Sequence, residues 1–155
     1  MEHYDWNDGW LFCPTFDPAL VRPECTGLEL ESVRIPHTVK ALPYNYCNEN
    51  DHQRLCGYRR EFFAPAEWAG RTVLLTFGAI AHDATVFCNG RRLFHHGCGY
   101  TAFTVDLTSA LHLGKKNVVA VRCLLCGGPE PRYVRFQHHR PPEEDREPAG
   151  KPQVR

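Results

Sequence analysis

The dipeptide Asn89-Gly90 constrains the fold of this 155-residue chain more than any other feature. A two-residue type I′ turn needs positive φ at both central positions, which Asn and Gly accept and most residues resist. On either side lie Ala84–Cys88 and Arg91–His95, runs rich in β-branched and aromatic residues, so the pair predicts a β-hairpin. The same texture extends outward. Tyr58–Ala64, Val73–Phe77, Ala102–Leu107 and Val118–Leu125 read as further strands, punctuated by Pro65, Gly70, Gly78, Gly97, Gly99 and Gly114. Within one of them Val73, Leu75 and Phe77 share a face. Short strands at regular spacing, with little helical periodicity, predict an all-β sandwich or barrel. Only Ser109–His112 reads as a short helical turn. The first 57 residues read as loop-rich, broken by Pro14, Pro18, Pro23, Pro36 and Pro43, with one strand around Leu30–Ile35.

Composition narrows the function. Lys plus Arg equals Asp plus Glu at 18 each, for a formal charge of zero. That balance lacks the basic face a nucleic-acid partner needs, and it offers nothing to an anionic membrane. No apolar run approaches the ~20 residues of a membrane helix. The acidic start, Met1-Glu2-His3-Tyr4-Asp5, lacks the basic and apolar regions of a signal peptide, so a cytoplasmic chain is expected. On that ground the eight cysteines are expected to be reduced. An apolar fraction of 43% supplies a core, and the length suits one domain. The expected division is a sandwich domain over 1–125 and a disordered, Pro- and charge-rich tail over 126–155. Six of the twelve prolines fall from Pro129 onward, and little there could bury enough surface to offset ordering.

Several residues were candidates for chemistry. Retaining glycosidases use paired carboxylates ~5–5.5 Å apart. Glu49 lies in a polar loop near Asp51 without a second acid that the sequence can place beside it, so no catalytic residue is expected. Cys123-x-x-Cys126 is half of a zinc site, but His138-His139 are adjacent rather than ~3–5 residues apart, so no metal is expected. His95-His96 on a strand should point to opposite faces and cannot chelate jointly. Cys98, between two glycines, is the cysteine whose setting best suits exposure. No nucleophile elbow is present, and no cofactor is expected. The loop Leu42–Asp51 is more suggestive, because tyrosines stack on sugar faces and amides serve hydroxyls in both directions. Turn-forming asparagines explain the same composition, and both readings stay open.

The ordered motifs resemble the N-terminal sugar-binding domain of glycoside hydrolase family 2, the β-galactosidase and β-glucuronidase family. They run through Asp8-Gly9-Trp10-x-Phe12, Ile35-Pro36-His37, Leu42-Pro43-Tyr44 and Gly57-Tyr58-Arg59-Arg60-x-Phe62. Ala84-Thr85-Val86 and Asn89-Gly90 follow, then Gly99-Tyr100-Thr101-x-Phe103, Asp106-Leu107-Thr108 and Asn117-Val118-Val119-Ala120-Val121. The resemblance implies a jelly-roll-like, galactose-binding-like β-sandwich that precedes an immunoglobulin-like domain and a catalytic barrel. It also implies that Tyr44, Asn45, Asn48 and Asn50 reach a β-glycoside at the edge of the barrel's pocket. The expected partners are that sugar and the remaining domains of a family 2 glycosidase. The alternative is a free-standing galactose-binding-like module for a glycan or a protein.

Two departures accompany the resemblance. Cys98 stands where the family usually has a glycine. The family pattern also stops near Cys123, inside a strand, without the final Gly-Gly-Ile-Tyr-Arg strand, so the sandwich is expected to lack a strand. A reading-frame slip would produce that signature, and a native tail is the other explanation. Read one nucleotide later, the codons of Val134–Arg140 can spell Phe-Gly-Phe-Ser-Ile-Ile-Asp, an apolar stretch of family type.

Overall fold

Pairing of two long strands organises the molecule. In a computed structural model, which describes residues 2–39 and 54–125, Leu55–Ala64 (β3) and Lys115–Leu124 (β8) pair antiparallel from Leu55↔Leu124 to Ala64↔Lys115. The remaining strands are Trp10–Cys13 (β1), Glu31–Val33 (β2), Leu74–Phe77 (β4), Asp83–Cys88 (β5), Arg91–His96 (β6) and Phe103–Asp106 (β7). They form a six-stranded sheet in the order β2-β1-β3-β8-β5-β6 and a two-stranded sheet, β4-β7. All pairings are antiparallel.

The central position of β8 explains its sequence. Val118, Val119, Ala120 and Val121 are all buried, so the run is continuously apolar rather than alternating. Val119 and Val121 join the core between the sheets, with Trp10, Phe12, Val86, Leu75, Val105 and Leu107. Phe77 and Phe103 stack across the small sheet with centroids 5.0 Å apart. The opposite face of the large sheet is closed by the segment around the 3-10 turn Pro18–Val21, whose Leu20 is wholly buried. Asp17 caps that turn by accepting from the Ala19 amide at 2.7 Å.

The all-β sandwich is as the sequence predicts, and the β5–β6 hairpin turns through Asn89 (φ 50°) and Gly90 (φ 82°). Three readings need correction. The loop-rich N-terminal region holds two strands, because β1 is a four-residue strand too short to show periodicity, and β2 spans only Glu31–Val33. The helical turn is a 3-10 turn at Thr108–Ala110, not Ser109–His112. The strand read as Val118–Leu125 is Lys115–Leu124, paired with β3 and β5 on its two sides. The prediction of a disordered tail falls on residues outside those described.

Candidate functional site

Tyr44, Asn45, Asn48 and Asn50 lie outside the described residues, as do Glu49 and Asp51. The structure does show both stems of their loop. One stem carries Ile35 and His37; the other begins at Arg54, whose carbonyl accepts from the Leu125 amide at 2.9 Å, and continues into β3. His37 Nδ1 lies 3.0 Å from the Tyr58 hydroxyl, joining the stems. The Phe12 ring closes the trio, 4.8 Å from His37 and 5.0 Å from Tyr58. Burial pushes the Tyr58 phenol well above its ordinary value, so its hydroxyl stays protonated.

Beside the stems opens a cavity of about 380 Å³, lined by Val39, Ile80, Val121 and Leu125 among others, with Asn7, His37, Tyr58 and Thr76 among its polar side chains. A second hollow of about 700 Å³ shares Asn7, Trp10, Ile35, Thr76 and Phe77 with it and follows β4 toward Trp68 and Arg71. Polar groups are too few in the smaller cavity to satisfy the hydroxyls of a whole saccharide.

The motif residues outside the loop build the scaffold. Arg59 is 1% exposed and donates to the carbonyls of Leu20 (2.9 Å), Arg22 and Pro23 (2.8 Å), with Glu61 at 2.8 Å. It thereby fastens the Pro18–Val21 turn against β3. Arg60 donates to the Trp6 carbonyl at 2.6 Å and lies 4.3 Å over the Trp6 ring, while Phe62 meets the same ring edge-on at 4.7 Å. Asn89 accepts from the Val118 amide at 2.9 Å and donates to Asn117 and the Ala110 carbonyl, both at 2.8 Å. Asn117, fully buried, also bonds His112 and the Lys115 carbonyl. These contacts account for the motifs by folding alone. Sequence reasoning could not separate such residues from ligand contacts, because a buried Arg or Asn looks the same in a string of letters.

The other candidates separate as strand geometry requires. His95 approaches Asp83 at 3.3 Å, whereas His96 turns to the Thr101 hydroxyl at 2.9 Å. Cys98 is exposed, and bonds from Thr101 and Tyr100 hold its thiol below the ordinary range. Cys123 is buried, while Cys126 and His138-His139 are outside the described residues. Among the described residues no group of three or more His, Cys, Asp or Glu side chains stands close enough to hold a metal ion.

The chain belongs to the family of glycosyl hydrolases family 2 sugar binding domains, whose model matches residues 31–131, beyond the point at Cys123 where the pattern seemed to end. It is 29% identical over 119 residues to a β-galactosidase of Thermoanaerobacter pseudethanolicus, covering 76% of this chain and 16% of the relative. Against a β-glucuronidase of Bacteroides fragilis the identity is 33% over 91 residues, covering 58% of this chain and 13% of the relative. The solved β-glucuronidase from Ruminococcus gnavus in complex with D-glucuronic acid superposes with a TM-score of 0.60 at 27% identity, over 76% of this chain and 21% of that one. The chain thus spans about a sixth or less of the curated relatives it matches.

Proposed function

We propose that this domain works as the non-catalytic N-terminal part of a β-galactosidase- or β-glucuronidase-like enzyme, holding a catalytic barrel and lending a loop to its sugar pocket. The observation that carries this reading is the family match over residues 31–131, which takes in both stems and the loop between them. Relatives named as β-glycosidases, one of them solved with D-glucuronic acid, support a β-glycoside as the sugar. Tyr44, Asn45, Asn48 and Asn50 would meet it at the pocket edge, the tyrosine by stacking and the amides through hydroxyls. The six described cysteines are free thiols, in keeping with a reducing, cytoplasmic setting. No helix among the described residues is long and apolar enough to cross a membrane.

The encoding DNA tests this directly. Translation of all frames through codons 124–155 and beyond should reveal an adjacent barrel-coding frame. If none is present, the free-standing galactose-binding-like module is the better reading. A Gly-Gly-Ile-Tyr-Arg-like strand in another frame would identify residues 124–155 as a slip; its absence would make them native.

A further inference from the structure

Cys56 on β3 and Cys123 on β8 are direct partners in the sheet register. Directly opposed residues of an antiparallel pair present their side chains on the same face. The neighbouring Leu125 amide bonds the Arg54 carbonyl, so by alternation along the ladder Cys56 and Cys123 form a hydrogen-bonded pair. Such pairs have Cα atoms about 5.5 Å apart, inside the range a disulfide spans. Both residues are buried, at 0% and 2% exposure, and both line the 380 Å³ cavity beside the loop stems. Of the other described cysteines, Cys13 pairs with Gly57 and bonds the Thr15 carbonyl, Cys25 is half-buried, Cys88 is buried near Ala110, and Cys98 is on the surface.

We propose that Cys56 and Cys123 form a dithiol site that a small hydroperoxide, entering by the cavity, oxidises to an internal disulfide joining β3 to β8. The two thiols interact, and a bond from the Cys123 thiol lowers the pKa of Cys56 while that of Cys123 is raised. Either thiol can be the attacking sulfur, and the chemistry is the same with Cys56 in that role. Its thiolate forms an S–O bond with the peroxide as the O–O bond breaks, giving a sulfenic acid; the departing alkoxide or hydroxide takes up a proton. The Cys123 thiol then gives up its proton and attacks the Cys56 sulfur. The S–O bond breaks, and hydroxide leaves with that proton as water. Overall two thiols are oxidised to one disulfide and one hydroperoxide is reduced to an alcohol or water. Burial sets the selectivity. Hydrogen peroxide is close to water in size and fits the cavity that both residues line, whereas glutathione disulfide is far larger.

The test treats the folded chain carrying Cys126→Ser with hydrogen peroxide, then blocks free thiols and maps peptides without reduction. That substitution matters because Cys126 shares a tryptic peptide with Cys123. The expected product links the peptide containing Cys56 to the one containing Cys123, with the mass of two hydrogens lost, and forms at least tenfold faster with hydrogen peroxide than with glutathione disulfide. Oxidised chain should also melt at a higher temperature than reduced chain. A Cys123→Ala chain should carry no bridge at Cys56. Recovery of Cys56 and Cys123 as separately blocked thiols, or a bridge from either to another cysteine, would overturn the proposal. Equal rates with the two oxidants would overturn entry by the cavity.

Discussion

Gly57 shows how one residue of a motif can be dictated by packing. A Cβ there would lie 2.3 Å from Leu20 Cδ2 and 3.1 Å from Phe16 Cδ2, inside the layer that closes the outer face of the large sheet. Gly57→Val should therefore destabilise the fold by ~1–3 kcal/mol through overpacking. Urea denaturation checks this, and Leu20→Ala in the same chain should recover part of the loss, since the two changes share one space. Asp106 makes a different kind of prediction. Its carboxylate accepts from the Thr108 amide at 2.8 Å and from the Thr108 hydroxyl, which holds its pKa below the ordinary 3.8. The same hydroxyl accepts from the Val73 amide at 2.9 Å, tying the start of β4 to the end of β7. A depressed folded-state pKa means the contribution is complete above the unfolded value and is lost as pH falls through the folded one. Asp106→Asn should thus flatten the acid limb of a pH–stability curve without moving the plateau's shape at neutral pH. An acid limb as steep as the parent's would assign the sensitivity to other carboxylates.

At the scale of elements, the β5–β6 hairpin was readable because its turn is local. Two residues with positive φ leave few alternatives to Asn-Gly, whatever the rest of the chain does. Gly90→Val should cost about 1 kcal/mol or more, since a β-branched side chain is strained at φ 82°. Thermal melts against the parent measure it, and an unchanged Tm would speak against the turn's role in setting the register. The strand β8 was readable for a different reason, its unbroken apolar run. By contrast β1 was not, because four residues cannot establish a period of two, and its identity comes from its neighbours β2 and β3. Where β8 stops has a related cause: the ladder to β3 and β5 ends at Leu124.

For the molecule as a whole, the small sheet covers only part of the large one among the described residues. The two hollows flank β4, which pairs with β7 alone. On the proposed function, the domain supports a neighbour rather than reacting by itself. The purified chain is expected to hydrolyse no aryl β-glycoside above buffer background. Release of the chromogenic aglycone that survives repurification and disappears in Glu49→Gln would assign catalysis to the loop and end the non-catalytic reading. Binding offers a complementary measurement. If the domain supplies only part of a pocket, methyl β-galactoside or β-glucuronide should perturb amide resonances weakly, and Asn48→Ala should remove that response.

What the sequence determined by itself was whatever depends on near neighbours. The Asn89-Gly90 turn, the alternation of Val73, Leu75 and Phe77, and the opposed directions of His95 and His96 all follow from backbone geometry over a few residues. Motif order was also enough to point to the family. The tertiary structure alone decided which motif residues hold the fold. Arg59 reads as a surface cation until three carbonyls from a turn more than thirty residues away surround it. Cys56 and Cys123, 67 positions apart, face each other only because β3 and β8 pair in one particular register. Burial and cross-strand register are properties of long-range pairing, and no local pattern of residue types encodes them.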